Sequence, residues 1–238
     1  MAKLLATDDK IKILFDEGLH LGHKKNRLHP KAKKFVYTIQ NGVSIIDLTI
    51  TAQQIEKAKE FIEKAIQEEK KILVVSTKKI ANQFTADMCR ELSLSHITSK
   101  WLPGLLTNFD TIIKNVKKLI DLKKERDEGL WNSFTKHEKG KRNKQIVRLE
   151  KFYGGLVNLE KKPDYLFVID IKREHNAVTE AKKIGIPVVA IADTNANPHD
   201  VEYPIVANDD SASSVQYLVK EILGSFAKPT KKTAKIKE

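Results

Sequence analysis

Short apolar runs rich in β-branched residues alternate along this chain with stretches whose apolar residues recur every three or four positions, and this alternation limits the fold more than any other feature. Residues 71–76, 96–98, 165–171 and 188–192 read as strands, and residues 51–70, 79–92 and 175–184 as helices. The first helix has its apolar positions at 52, 55, 58, 61, 62, 65 and 66. A helix-length connection joins parallel strands, whereas antiparallel neighbours can be joined by a tight turn. The chain is therefore expected to be an α/β protein, a mostly parallel sheet flanked by helices in the flavodoxin or Rossmann manner.

Three segments depart from that rhythm. Apolar residues at 11, 14 and 15 suit a short helix over 11–17 ended near Gly18, followed by the basic run HLGHKKNRLHPKAKK. Phe35–Ile39 and Val43–Ile46 flank Gln40, Asn41 and Gly42, and the Asn-Gly pair supplies the positive φ angles of a tight hairpin. Beyond residue 108, Phe109, Ile112, Val116 and Leu119 form one narrow apolar seam and Ile146, Leu149 and Tyr153 another, with a reversal near Gly129. Two such seams are what an antiparallel helical hairpin of coiled-coil type would bury. The expected organisation is a discontinuous α/β domain, residues 1–107 and 153–226, an inserted helical hairpin, residues 108–152, and a basic disordered tail, residues 227–238. A last helix is expected over 210–226, with Asp209 or Asp210 near its cap.

Charge is distributed unevenly. Residues 20–36, 114–150 and 226–238 carry +6, +6 and +4, so the other 171 residues of a chain whose net charge is +12 carry −4. A near-neutral body with three basic segments points to a polyanion, because Lys and Arg neutralise phosphates and release condensed counterions. A single lysine run needs no more explanation than solubility. None of the segments combines charge with a broad apolar face, which weakens a membrane-surface reading. The longest apolar stretches fall far short of the roughly 20 residues of a bilayer crossing. One cysteine, Cys89, excludes an internal disulfide framework and a multi-cysteine zinc site; within helix 79–92 it reads as a small buried thiol. The simplest compartment is the cytosol.

Signatures of catalysis are missing. The first strand-to-helix turn, Val75-Ser76-Thr77-Lys78-Lys79, has no glycine to let a backbone approach phosphates, and no GxGxxG or GxxxxGK[ST] occurs. His20, His23 and His29 lie close together, but their spacing, with no Cys or carboxylate between them, fits no compact metal site, so no metal or other cofactor is expected. Asp193, Asp200, Asp209 and Asp210 fall in loops after the last strands, where ligands of α/β sheets bind. Such carboxylates could hold Mg²⁺ or act as acid and base; local turn and cap hydrogen bonds are the simpler account. Trp101, Pro103 and Gly104, with Thr107 or Asn108 as a helix cap, make a corner where the body gives way to the insertion.

Four segments in register resemble one family. GLHLGHKKNRLHPKAKKFVYTIQNGVSIIDL, WLPGLLTNF, LEKFYGGLVNLEKKPDYLFVID and GIPVVAIADTNANPHDVEYPIVANDD are together similar to small-subunit ribosomal protein S-two in its bacterial form, over about residues 11–225. The resemblance implies a structural constituent of the small ribosomal subunit with no catalytic duty and no small-molecule substrate. It also implies partners: small-subunit rRNA and other small-subunit proteins, including the large mRNA-binding protein S-one. The motif positions carried over include His20, Gly22, His23, Trp101, Gly104, Thr107, Asn108, Asp193, Asn195 and Asp209. Two positions depart, since the family pattern has Arg and Gly where this chain has Lys100 and Pro103. Large folded RNAs are read mostly through phosphate, shape and 2′-hydroxyl contacts. On that basis Lys24, Lys25, Arg27, Lys31, Lys33 and Lys34 are expected to meet rRNA, with Lys139, Lys141, Arg142 and Lys144 as a second contact. The rival reading is an α/β enzyme acting on a phosphorylated or nucleotide substrate at the Asp193–Asp210 loops.

Overall fold

The computed structural model describes the backbone of residues 2–227 and side chains from residue 9 onward. The tail expected to be disordered, apart from Ala227, lies outside the described residues. Five strands form one fully parallel sheet: β4 (Ile72–Val75), β5 (Ser95–Ile97), β6 (Tyr165–Ile169), β7 (Val188–Ala192) and β8 (Tyr203–Val206), in the spatial order β5-β4-β6-β7-β8. Taken in chain order this is 2-1-3-4-5, the flavodoxin-like arrangement.

Both faces of the sheet are covered, so its central strands are apolar throughout rather than alternating. Ile72, Val74, Tyr165, Phe167, Ile169, Val189 and Ile191 pack on one side with residues of helices α1 (Ala2–Asp16), α2 (Leu48–Gln67), α3 (Lys79–Glu91) and α7 (Ala212–Leu223). Leu73, Val75, Leu166, Val168, Val188, Ala190 and Ala192 pack on the other with α6 (His175–Ile184), Trp101 and the first turns of α4 (Phe109–Asp127). Cys89 is buried in the first layer, and burial pushes its thiol up to about 12.

Before the sheet stands a small antiparallel one, ordered β1-β3-β2, made of β1 (Leu21–Lys24), β2 (Val36–Gln40) and β3 (Val43–Ile46). Asn41 and Gly42 take φ of 50° and 77° at its hairpin turn, as the Asn-Gly pair requires. Helix α2 begins where the Asp47 carboxylate accepts from the Thr49 amide at 2.9 Å.

α4 and α5 (Lys136–Tyr153) run antiparallel, linked by Lys123–Glu150 at 2.6 Å, Arg142–Glu125 at 2.7 Å and Asn115 to the Tyr153 hydroxyl at 3.2 Å. Phe109, Ile112 and Val116 belong to the core against the sheet, while Leu119, Leu122, Trp131 and Ile146 form a separate small core between the two helices. The first two turns of α4 thus pack on the body, and the separate core between the two helices begins at Leu119. Thr135 opens α5 with a reciprocal capping box to Glu138.

Two expectations are corrected, and two strands that the sequence did not signal, β1 and β8, are added. α1 starts at Ala2, well before residue 11. β1 lies inside the basic run, which shows no alternation because its residues pair with β3 in an exposed sheet. β8 is short and carries Pro204, tolerated because this strand pairs on one side only. Neither Asp209 nor Asp210 caps α7: the Asn208 side chain accepts from the amides of Asp210 and Ser211, at 2.9 and 3.3 Å, and both aspartates turn elsewhere.

Candidate nucleic-acid interface

The basic run is held as a platform. The His23 amide donates to the Thr194 hydroxyl at 2.9 Å, the His29 amide to the Thr194 carbonyl at 2.8 Å, and the Lys25 amide to the Gly42 carbonyl at 2.8 Å. Ala32 and Phe35 are buried under two 3₁₀ turns, Lys25–Arg27 and Pro30–Phe35, and the His29 ring accepts from the Lys31 amide at 3.2 Å. Lys24, Lys25, Arg27, Lys31, Lys33 and Lys34 are all exposed. Six cations therefore project from a backbone pinned at both ends, which lowers the entropy lost when they meet a polyanion. Gly22 makes the approach possible, since a Cβ there would lie 2.7 Å from Thr194 Cγ2 and 3.0 Å from the Ser44 carbonyl oxygen.

The second basic group divides. Lys141 and Lys144 are exposed. Lys139 is half-buried and reaches the Asn132 carbonyl at 3.4 Å. Arg142 is half-buried too, paired to Glu125 and set over the rings of Phe134 and Trp131, at 4.4 and 5.6 Å from their centroids. Its charge is engaged inside the hairpin.

Family positions gather in two places. At the Trp101 corner the Glu180 carboxylate of α6 accepts from Trp101 Nε1 at 3.1 Å, the Gly104 amide at 2.8 Å and the Leu106 amide at 3.1 Å. Gly104 has φ of 86°. Pro103 costs nothing here because the amides in use belong to its neighbours, and Lys100 is exposed. Asn108 stands at the N-cap of α4 with Thr107 beside it, and its side chain accepts from the Thr111 hydroxyl at 2.9 Å rather than from a backbone amide.

The other place is the carboxyl end of the parallel strands. His23 Nδ1 lies 2.7 Å from Asp193 Oδ2, and Nε2 lies 2.7 Å from the Asn195 amide nitrogen and 3.4 Å from Asp210 Oδ2. The bond to Asp193, opposed by burial and reinforced by the fields of Asp193, Asp210 and Asp209, raises the imidazole above its ordinary range. Lys78 reaches Asp209 at 2.7 Å, Asp210 at 2.6 Å and Asp170 at 3.4 Å. Burial works against its charge, yet the bonds to Asp209 and Asp210 hold the ammonium above its usual range. Asp209, only 1% exposed, is pushed up by burial and by Asp170 and Asp193. Glu174 bonds the hydroxyl and amide of Thr77, and Arg173 Nε bonds that hydroxyl at 3.0 Å. His20 stacks on Phe15 at 4.1 Å, and burial lowers its ring.

The crevice between β4 and β6, where a flavodoxin-like sheet would take a nucleotide, is thus filled by the chain's own ion pairs. Lys78, Asp170, Glu174 and Glu180 were not legible as site residues. Lys78 could have been found as a cation at the end of the first parallel strand facing aspartates at the ends of others.

The family described as Ribosomal protein S2 matches residues 14–228. The chain is 40% identical over 215 residues to "Small ribosomal subunit protein uS2" of Salinispora tropica, covering 90% of this chain and 73% of the relative. The protein of the same name from Coprothermobacter proteolyticus is 39% identical over 212 residues, 89% of this chain and 79% of the relative. With that from Micrococcus luteus the identity is 40% over 90% of this chain and 75% of the relative. A doubly covered 2-1-3-4-5 sheet whose ligand crevice is closed by ion pairs, a pinned basic platform and these matches lead to one assignment: the chain belongs to the ribosomal protein S2 family.

Proposed function

We propose that this protein binds small-subunit rRNA through the platform formed by residues 24–34, with the exposed lysines of the α4–α5 hairpin as a second contact. Membership of the family makes it a structural, non-catalytic component of the small ribosomal subunit, working in translation on the cytoplasmic ribosome. The observation that carries the RNA reading is the exposure of all six cations of the platform on a backbone anchored through Thr194. Lys141 and Lys144 take the role on the hairpin, while Lys139 and Arg142 serve mainly to hold its tip. In this reading residues 1–107 with 153–226 act as the body and 108–152 as the projecting arm, the arm leaving the body beyond Val116.

Neighbouring subunit proteins, S-one among them, would dock on protein surface left free of RNA. Edge strand β2, with Tyr37 and Ile39 exposed at 77% and 40%, offers both apolar side chains and unpaired backbone groups for such a partner. Tyr37→Asp is expected to weaken capture of neighbouring subunit proteins without changing RNA affinity.

The test of the RNA reading is affinity for small-subunit rRNA fragments over a salt series, for the natural chain and for a Lys24→Glu/Lys25→Glu/Arg27→Glu variant. Loss of three phosphate contacts should lower the slope of log K against log salt by about two to three. An unchanged slope would remove the platform from the interface.

A further inference from the structure

His23, Asp193 and Asp210 come from β1 and from the loops after β7 and β8, yet one ligand atom of each lies within 4.8 Å of the others. Asp170 and Asp209 add two carboxylates to the same corner, against the one ammonium of Lys78. The charge of Arg27 also acts on Asp210, more weakly than that of Lys78.

The imidazole is oriented as a metal ligand would be. Metal-binding histidines commonly donate one ring N–H to a carboxylate, which fixes the ring and frees the other nitrogen. His23 does this: Nδ1 is 2.7 Å from Asp193 Oδ2, a carboxylate with 1% exposure, while Nε2 faces the Asn195 side-chain amide at 2.7 Å and Asp210 Oδ2 at 3.4 Å. Two donors each about 2.1 Å from a tetrahedral ion stand about 3.4 Å apart, so this pair already has the separation of two ligands. Asp210 keeps that oxygen free, because Lys78 bonds its Oδ1. Its side chain is 60% exposed, which gives an ion a way in.

Two buried oxygens at the corner lack partners. Asn195 Oδ1 has none, although its amide nitrogen touches His23 Nε2. Asp209 Oδ2 has none either, on a side chain 1% exposed that feels the charges of Asp170 and Asp193. Buried polar atoms without partners call for an explanation, an ion or an ordered water among them.

We propose that His23 Nε2 and Asp210 Oδ2 bind a divalent cation, with Asn195 Oδ1 turned inward as a third ligand and Asp193 orienting the imidazole. Asp209 Oδ2 accepts from a water on the ion. An imidazole in the donor set selects Zn²⁺ or Mn²⁺ over Mg²⁺, which prefers oxygen and keeps its waters. The ion ties the start of the basic platform to two loops of the parallel sheet. This goes beyond the rRNA reading and does not depend on it.

The test uses the full chain without an affinity tag, stripped with chelator, dialysed and titrated calorimetrically with ZnCl₂, MnCl₂ and MgCl₂, with thermal melts alongside. One equivalent of Zn²⁺ or Mn²⁺ is expected, at least tenfold tighter than Mg²⁺, with a rise in Tm. Asp210→Asn, on an exposed side chain, and His23→Gln should each weaken binding at least tenfold, whereas Asp87→Asn, an exposed carboxylate of α3 paired with Arg90, should leave it unchanged. Circular dichroism checks that the variants are folded; if His23→Gln is not, Asp210→Asn decides alone. Absence of saturable binding, binding no tighter than Mg²⁺, or binding unaffected by Asp210→Asn would overturn the proposal. Because no RNA is present, its failure leaves the rRNA reading untouched.

Discussion

Gly22 lies where β1 passes the Thr194 side chain, with no room for another carbon: a Cβ would meet Thr194 Cγ2 at 2.7 Å and Oγ1 at 2.8 Å. Gly22→Ala should therefore destabilise the fold by about 1–3 kcal/mol, measured by denaturant unfolding, and Thr194→Ser in the same chain should recover part of the loss. Glu180 is the opposite case, one carboxylate serving three donors at the Trp101 corner. Removing it in Glu180→Ala strands an indole and two amides, and a cost of about 1–3 kcal/mol per stranded buried donor sets the scale. His96 of β5 is lowered by burial, with Arg90 adding to the effect and a bond to the Leu94 carbonyl opposing it. Its neutral form is the one the fold prefers, so its contribution is retained above the unfolded pKa of about 6.5 and is lost as pH falls below it toward the folded value. A Tm profile from pH 8 to pH 5 should therefore fall less steeply for His96→Gln than for the natural chain.

Among the elements, the α4–α5 hairpin separates stability from binding. Arg142 is committed to Glu125 and to the Trp131 and Phe134 rings, while Lys141 and Lys144 are exposed and in no ion pair among the described residues. Arg142→Ala should lower Tm, through lost packing as well as lost charge, and alter RNA affinity little. A Lys141→Ala/Lys144→Ala variant should leave Tm within a degree or two and reduce the salt dependence of RNA binding, as exposed cations do. The hairpin's seams were readable because 3.6-residue periodicity survives in a surface helix. β1 and β8 were not, because a four-residue strand in a small exposed sheet and a proline-bearing edge strand show no period long enough to recognise.

At the scale of the whole molecule, Lys78 gathers the ends of β4, β6 and β8 through Asp170, Asp209 and Asp210. Lys78→Met would leave three carboxylates facing one another, two of them 13% and 1% exposed, without their cation. Breaking one side of a buried ion pair costs about 3–5 kcal/mol, so this single change is expected to destabilise the fold more than any platform lysine, as equilibrium unfolding would show. The result also bears on function: a nucleotide phosphate in that crevice would have to displace these pairs, which fits a scaffold better than an enzyme.

The α/β class, the hairpin turn at Asn41-Gly42, the helical insertion and the three basic segments are legible in the order of residues alone, because periodicity, turn chemistry and charge are local properties that a chain displays residue by residue. The four motif segments carry the family resemblance in the same way. Tertiary structure decided which charges are free and which are used. Arg142 and Lys144 look alike in the sequence, yet one is tied to Glu125 and two rings while the other faces solvent. Asp209 and Asp210 look like helix caps until the fold carries Lys78, at the end of β4, and His23, on β1 of the small antiparallel sheet, across to them, from positions 131 and 187 residues away in the chain. Sequence separation says nothing about such meetings, since they depend on the strand order β5-β4-β6-β7-β8 and on the seating of the small sheet at Thr194, which only the packing of the whole molecule fixes.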